Sequence, residues 1–281
     1  MGAPARTIDN MPTALTIAGS DSGGGAGIQA DLKVFMALGC HGMTALTALT
    51  AQSTIGVFGI HEIPPDFVTA QIDTVADDIG VGAAKTGMLF SAPVIEAVAA
   101  AAEDHRLTPL VVDPVFVSKH GNRLLAEDAV EALKTRLLPL ASLVTPNLFE
   151  AQGLTGMAIS SLEDMKECAR TLHSLGPRAV LVKGGHLDHT GSATDVFYDG
   201  DVLEEITGPR YDSPHTHGTG CALSAAAAAR LAHGDSIIDA IRYAKDFVSG
   251  AIYRGLRIGR GFGPINPAWR LASEGGAETS S

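Results

Sequence analysis

The chain has 281 residues, 46% hydrophobic and 18% charged, values of an ordinary globular protein that exclude global disorder. With 20 basic against 31 acidic side chains the formal charge is −11, so nucleic acid and anionic membrane are disfavoured as partners and a small-molecule ligand is favoured. Glycine is over-represented, at 32 residues or about 11% against a usual ~7%, and it clusters at element junctions.

Taken in chain order, 13–18 (TALTIA) reads as a buried strand running into the loop Gly19-Ser20-Asp21-Ser22-Gly23-Gly24-Gly25. A helix over 26–38 follows, with Gly39 as its terminator. Residues 44–49 and 57–63 read as strands, Pro64-Pro65 opens a helix, and 81–86 is a strand before a helix over 92–103. The apolar 110–113 is a buried strand stopped by Pro114; 124–138 is predicted helical, 143–145 a strand, and 161–175 a helix capped by Ser160 or Ser161. A short strand over 179–183 ends in Gly184-Gly185, and a D-G turn joins 195–198 to 202–206 as a hairpin. Helices over 220–232 and 236–256 complete the pattern. Strands alternating with helices predict an α/β fold whose mostly parallel sheet is covered on both faces. One domain is expected over 12–270, with 1–11 as an extension and 271–281 as a disordered tail.

Cys40, Cys168 and Cys221 are widely spaced and lack a CxxC, which argues against a disulfide framework and a zinc site and for a reducing cytoplasm. The longest apolar run, near residues 97–102, falls far short of the roughly 20 residues that cross a bilayer. The first ten residues lack the apolar stretch of a secretory signal.

Ligands of such folds bind beyond the carboxyl ends of the strands. Asp21, Asp113, Asn147, Glu150 and Lys183 all follow predicted strands, and so converge on one crevice. Gly218-Thr219-Gly220 feeds a helix rich in alanine, and such a start exposes amide N–H groups as an anion site; a glycine-rich turn before a buried helix is the plainer reading. Cys221 shares that helix start, where a thiol pKa is lowered, although an inert buried cysteine also fits. Lys183 before two glycines suits a phosphate, or is a solvated strand-end lysine. Asn147 and Glu150 share the first turn of a helix, either holding a magnesium-bound water or simply capping the helix. Residues 80–86 (GVGAAKT) approach a phosphate-loop pattern but carry Ala84 where glycine is required, and His186 with His189 lacks further metal ligands, so both are set aside.

The segments 18–33 (AGSDSGGGAGIQADLK), 47–54 (TALTAQST), 85–89 (KTGML), 111–115 (VVDPV), 145–151 (TPNLFEA), 181–186 (LVKGGH) and 216–224 (THGTGCALS) occur in this order. Together they resemble the hydroxymethylpyrimidine/phosphomethylpyrimidine kinases of thiamine biosynthesis, in the ribokinase-like superfamily. The resemblance implies a three-layer α/β/α sandwich and two ATP-dependent phosphorylations, of the pyrimidine's hydroxymethyl group and then of the monophosphate. By the same resemblance Gln52 would bind the aminopyrimidine edge, with Asp21, Met88 and Val115 lining its pocket. Lys183 would contact the transferring phosphate. Asn147, Glu150 and Thr219 would serve ATP, and Glu150 and Asp113 would serve Mg²⁺. Gly218, Thr219 and Gly220 would form the anion hole, and Cys221 would stand where related sugar kinases carry an aspartate base. A homodimer is implied as well.

Two positions depart from the pattern. Some relatives that phosphorylate pyridoxal carry a second cysteine in the segment after VVDPV, where this chain has Ser118; His215 stands where relatives often have asparagine. The rival readings are a pyridoxal or pyridoxine kinase, a cysteine-nucleophile enzyme with His217 as base, and a non-catalytic pyrimidine-binding protein.

Overall fold

The computed structural model describes residues 10–117, 124–126, 128–185, 187 and 192–274. Ser118, His186, His189, most of the expected extension and residues 275–281 lie outside that set.

The chain builds β1 (Thr13–Ala18), α1 (Gly27–Ala37), β2 (His41–Leu46), β3 (Ala48–Ser53), β4 (Gly56–Glu62) and α2 (Pro65–Asp78). It continues through β5 (Ala83–Thr86), α3 (Ala92–Asp104), β6 (Leu110–Val112), α4 (Ala129–Ala132), β7 (Leu143–Val144), α5 (Leu148–Thr155) and α6 (Leu162–His173). Last come β8 (Val180–Val182), β9 (Ser192–Tyr198), β10 (Leu203–Pro209), α7 (Thr219–Ala232), α8 (Ile237–Tyr253) and α9 (Trp269–Glu274).

Among the described residues eight strands form one sheet in the order β10-β9-β8-β7-β6-β5-β1-β2, parallel from β2 to β8, with β9 and β10 antiparallel at one edge. The side-chain period of two divides each central strand between two cores. Ala14, Ala83, Val111, Leu143 and Leu181 meet α1, α7 and α8 on one face. Their neighbours Leu15, Ala84, Val112, Val144 and Val182 meet α2, α3 and α6 on the other. Strands buried on both sides must be continuously apolar, which is why they are visible in the sequence. Residues 222–229 of α7 are buried throughout; their alanines let this helix lie close between α1 and α8.

Three expectations are corrected. Residues 44–49 are not one strand: β2 ends at Leu46, Thr47 donates its hydroxyl to the Met88 carbonyl (2.6 Å), and β3 departs from the main sheet to pair with β4 as a separate hairpin. Helix does not begin at 124: the amides of Leu124 and Leu125 donate to the Phe116 carbonyl, Leu125 bridges to Phe90 as extended chain, and helix starts at Ala129. The turn of α4 then widens over Leu133–Leu137 and tightens over Leu138–Leu140, where Pro139 supplies no amide. The segment 271–274, expected in a disordered tail, belongs to α9, whose Trp269 donates to the Phe247 carbonyl (3.0 Å) and lies against its ring. No helix of the described residues is long and apolar enough to cross a membrane.

Candidate active site

The loops leaving β1, β5, β6, β7 and β8 open beside the N-terminus of α7, around a cavity of about 1340 Å³. Every site residue singled out in the sequence lines it: Asp21, Gln52, Met88, Asp113, Val115, Asn147, Glu150, Lys183, Gly218, Thr219, Gly220 and Cys221.

Gly218 is the N-cap of α7, with φ +81°, and no side chain caps the helix. The leading amides therefore point at the cavity as donors without intrahelical acceptors. A Cβ at Gly218 would overlap the Gly25 carbonyl, so both the conformation and the close approach require glycine. Gly218→Ala is expected to cost about 1–3 kcal/mol of stability and to lower turnover about 100-fold, since the donors move. Urea midpoint and turnover measure the two effects, and wild-type turnover in the variant contradicts the anion-loop reading. The Thr219 hydroxyl donates to the Thr216 carbonyl (2.8 Å), which the Thr219 amide also meets at a long 3.4 Å.

Lys183 pairs with Asp113 (2.9 Å) directly beneath this loop: a Cβ at Gly220 would stand 3.3 Å from the lysine Nζ. Asp113 also accepts from Thr145 (3.3 Å) and Ser224 (3.4 Å). Burial pushes the Asp113 carboxyl up, but Lys183 and then Lys85 outweigh it and hold it below the usual range. Asn147 and Glu150 form a reciprocal capping box on α5: Glu150 N donates to Asn147 Oδ1 (2.9 Å) and Asn147 N to Glu150 Oε2 (2.8 Å). The helix-cap reading of this pair is therefore realised, and both residues still border the cavity. Burial, reinforced by Asp113 and opposed by Lys183, raises the Glu150 carboxyl to about 7. A divalent cation would relieve the repulsion between these two carboxyl groups, so the donor set suits one.

On the far side, Met88 and Val115 form an apolar wall with Ala48 and Leu124. Gln52 is on β3, where a register shift between Ala51 and Gln52 bends the strand. Asp21 is committed to the protein: Oδ1 accepts from Gly23 N (2.8 Å), and Oδ2 from Gly25 N (3.0 Å) and Ala26 N (2.9 Å), with His217 Nε2 at 3.0 Å. Burial raises this carboxyl, but His217 and the amides prevail and it sits below the usual range.

One electrostatic expectation fails. Cys221 was expected to have a lowered thiol pKa; burial, with Asp31 and Asp113 adding to it and Lys85 opposing, pushes it up to about 11. The helix start alone does not offset the lost hydration. His217, weighed as a base for Cys221, turns Nε2 towards Asp21 instead.

Sequence reasoning passed over Lys85 and Asp31. Both are fully buried, with Lys85 Nζ 2.8 Å from Asp31 Oδ2 and Thr16 Oγ1 donating to the same oxygen (2.6 Å); Lys85 borders the cavity. A charge inside the apolar strand 81–86 is the one local signal of this pair. A second such pair, Lys245 with Asp195 (2.7 Å), fixes the Gly184 amide (3.0 Å) beside Lys183.

The family model described as phosphomethylpyrimidine kinase matches residues 21–266. A hydroxymethylpyrimidine/phosphomethylpyrimidine kinase of Streptomyces coelicolor is 52% identical over 92% of this chain and 96% of its own. The thiamine biosynthesis bifunctional protein ThiED of Geobacter sulfurreducens is 54% identical over 90% of this chain, which spans about half (51%) of that longer protein. Among solved structures, an ADP complex of Bacillus subtilis pyridoxal kinase superposes with a TM-score of 0.87 at 41% identity, over 93% of this chain and 99% of that one. The fold is the ribokinase-like one anticipated.

Proposed function

The chain belongs to the phosphomethylpyrimidine kinase family, and from that premise we propose that it uses ATP to phosphorylate 4-amino-5-hydroxymethyl-2-methylpyrimidine and then its monophosphate, for thiamine biosynthesis. The observation that carries this reading is the meeting of the uncapped α7 N-terminus with Lys183–Asp113 in a cavity roomy enough for two substrates.

Phosphoryl transfer needs positioning and electrostatic stabilisation more than covalent help from the protein. The substrate oxygen bonds to the γ-phosphorus, the bridge to ADP breaks, and the hydroxyl proton passes to Cys221 Sγ in its thiolate form. Amides of Gly218, Thr219 and Gly220, with the Lys183 ammonium, face the charge that builds on the transferring oxygens. Asn147, Glu150 and Thr219 border the ATP side. Glu150 and Asp113 would hold Mg²⁺, which neutralises phosphate charge when bound. Gln52 would meet the aminopyrimidine edge through its amide, which supplies a donor and an acceptor together, while Met88 and Val115 cover the ring. A cytoplasmic homodimer completes the proposal; Leu49, Ile55 and Phe58 of the β3–β4 hairpin are exposed, and a partner copy would cover them.

Likeness to a pyridoxal kinase supports a second reading, in which pyridoxal is the acceptor. ADP release measured with the hydroxymethylpyrimidine, its monophosphate and pyridoxal separates them. Turnover is expected with both pyrimidines and at least tenfold lower kcat/KM with pyridoxal. The reverse order installs the second reading, and no ADP with any acceptor removes both.

A further inference from the structure

Asp21 is a buried acceptor with an ionised carboxyl, so the His217 nitrogen that faces it, 3.0 Å away, must carry the hydrogen. That nitrogen has a second neighbour, the amide of Gln52: the terminal Nε2 position lies 3.5 Å from His217 Nε2 and the Oε1 position 3.2 Å from Thr50 Oγ1. Oxygen and nitrogen of an amide have the same shape, so the network decides which is which. With nitrogen towards His217, two N–H groups would oppose each other. The single Thr50 hydrogen would also have to serve both Gln52 and the Ser20 carbonyl, to which it donates at 2.8 Å. With the amide turned over, no donor faces a donor. The His217 N–H is shared between Asp21 (3.0 Å) and the Gln52 oxygen (3.5 Å), Gln52 N–H donates to Thr50, and Thr50 O–H donates to Ser20.

We infer that His217 is a positioning residue for pyrimidine recognition: its imidazole N–H, anchored by Asp21, fixes the Gln52 amide with oxygen inward and nitrogen towards Thr50, and thereby sets the order of acceptor and donor shown to the substrate. The inference rests on the reading of Gln52 as the pyrimidine ligand. The ring has a prepared seat. Its backbone is clamped by His217 N to Gly263 O (3.1 Å) and Ile265 N to His217 O (3.2 Å), and a Cβ at Gly25 would overlap the imidazole. The strand irregularity at Ala51/Gln52 is what brings the Gln52 amide to it. One N–H and one lone pair of Gln52 then remain for the ligand, in fixed order. An aminopyrimidine, with a ring nitrogen beside an amine, complements such an edge, whereas an amide free to turn over would serve either order and discriminate less.

Steady-state kinetics of His217→Leu, His217→Gln, Gln52→Ala and the His217→Leu/Gln52→Ala double variant test this. His217→Leu is expected to raise the pyrimidine KM about tenfold, to leave the ATP KM within about twofold, and to narrow the preference over pyridoxal. His217→Gln, whose amide nitrogen reaches the Nε2 position, should restore the pyrimidine KM to within about threefold. If His217 acts through Gln52, the double variant is no worse than Gln52→Ala alone. Multiplying losses in the double variant, or an ATP KM that rises as much as the pyrimidine KM, overturn the inference and leave Gln52 as ligand. An unchanged pyrimidine KM in Gln52→Ala overturns the reading of Gln52 beneath it. Should the leucine variant fail to fold, His217→Gln and His217→Asn carry the comparison, because asparagine does not reach the Nε2 position; equal pyrimidine KM values in these two overturn the inference.

Discussion

Lys85→Met is expected to destabilise the fold by about 3–5 kcal/mol, the usual cost of removing one partner of a buried ion pair and leaving the other charge unpaired. Both groups are at zero exposure, 2.8 Å apart, on β5 and α1. Burial alone would strip the proton from Lys85; Asp31 outweighs it, with smaller help from Cys221 and Asp113, and the ammonium is held above the ordinary lysine range. Without that ammonium, Asp31 keeps among the described residues only the Thr16 hydroxyl as partner for Oδ2, and none for Oδ1. Urea unfolding of the variant at pH 7 measures the cost. Two controls separate this cause from lost packing. Lys85→Met/Asp31→Asn removes both charges at nearly constant volume and should recover more than half of the loss. The penalty in the single variant should also shrink as pH falls from 7 to 5. Burial already holds the native Asp31 carboxyl above its ordinary range against the opposing pull of Lys85; removing Lys85 raises it further, so the folded variant takes up that proton more readily than the native protein and gains more stability on acidification. A loss below about 1 kcal/mol, or one that does not respond to pH, contradicts this account.

The same pair shows where reading a sequence stops. Continuous apolar runs such as Leu110–Val112 and Val180–Val182 announce central strands, because burial on both faces leaves no polar option. Strand ends followed by Asp113, Asn147 and Lys183 likewise announce a crevice, and these residues do line one cavity. What escapes are features decided by contacts between distant segments. The break between β2 and β3 lies inside the apolar stretch 45–49 and is set by Thr47 reaching the Met88 carbonyl, 41 residues on. Lys85 finds Asp31 across 54 residues, and no local pattern encodes that. Cys221 was legible as a helix-start residue, but its environment was not: burial, joined by Asp31 and Asp113 from distant parts of the chain, inverts the expected pKa shift. The chain is acidic overall, yet the proposed function asks it to hold an anion with loop amides and Lys183, so net charge bears on its solution partners and not on that ligand.

Cys221→Ala is expected to lower the rate of phosphoryl transfer by about 10²- to 10⁴-fold, the usual range for a positioned general base, with the ATP KM nearly unchanged. The thiol is held at about 11 by burial, with Lys85 opposing and Asp31 and Asp113 adding to the rise. The thiolate is then a small fraction at neutral pH and grows about tenfold per pH unit until that value is approached. Catalysis through the thiolate therefore predicts a single-turnover rate that climbs between pH 7 and 9 in the native enzyme and stays flat in Cys221→Ala. Single-turnover conditions keep product release from hiding the step. A low thiolate population is compatible with useful catalysis, because the loose transition state of phosphoryl transfer asks little of the nucleophile until its proton must leave. Three results discriminate. A climbing native profile with a flat, slow variant assigns Cys221 the base. A flat native profile with a slow variant leaves Cys221 as a protonated thiol that places the substrate hydroxyl at the α7 N-terminus. Unchanged turnover in the variant removes the residue from the reaction, and the proton must then leave by way of the transferring phosphate itself.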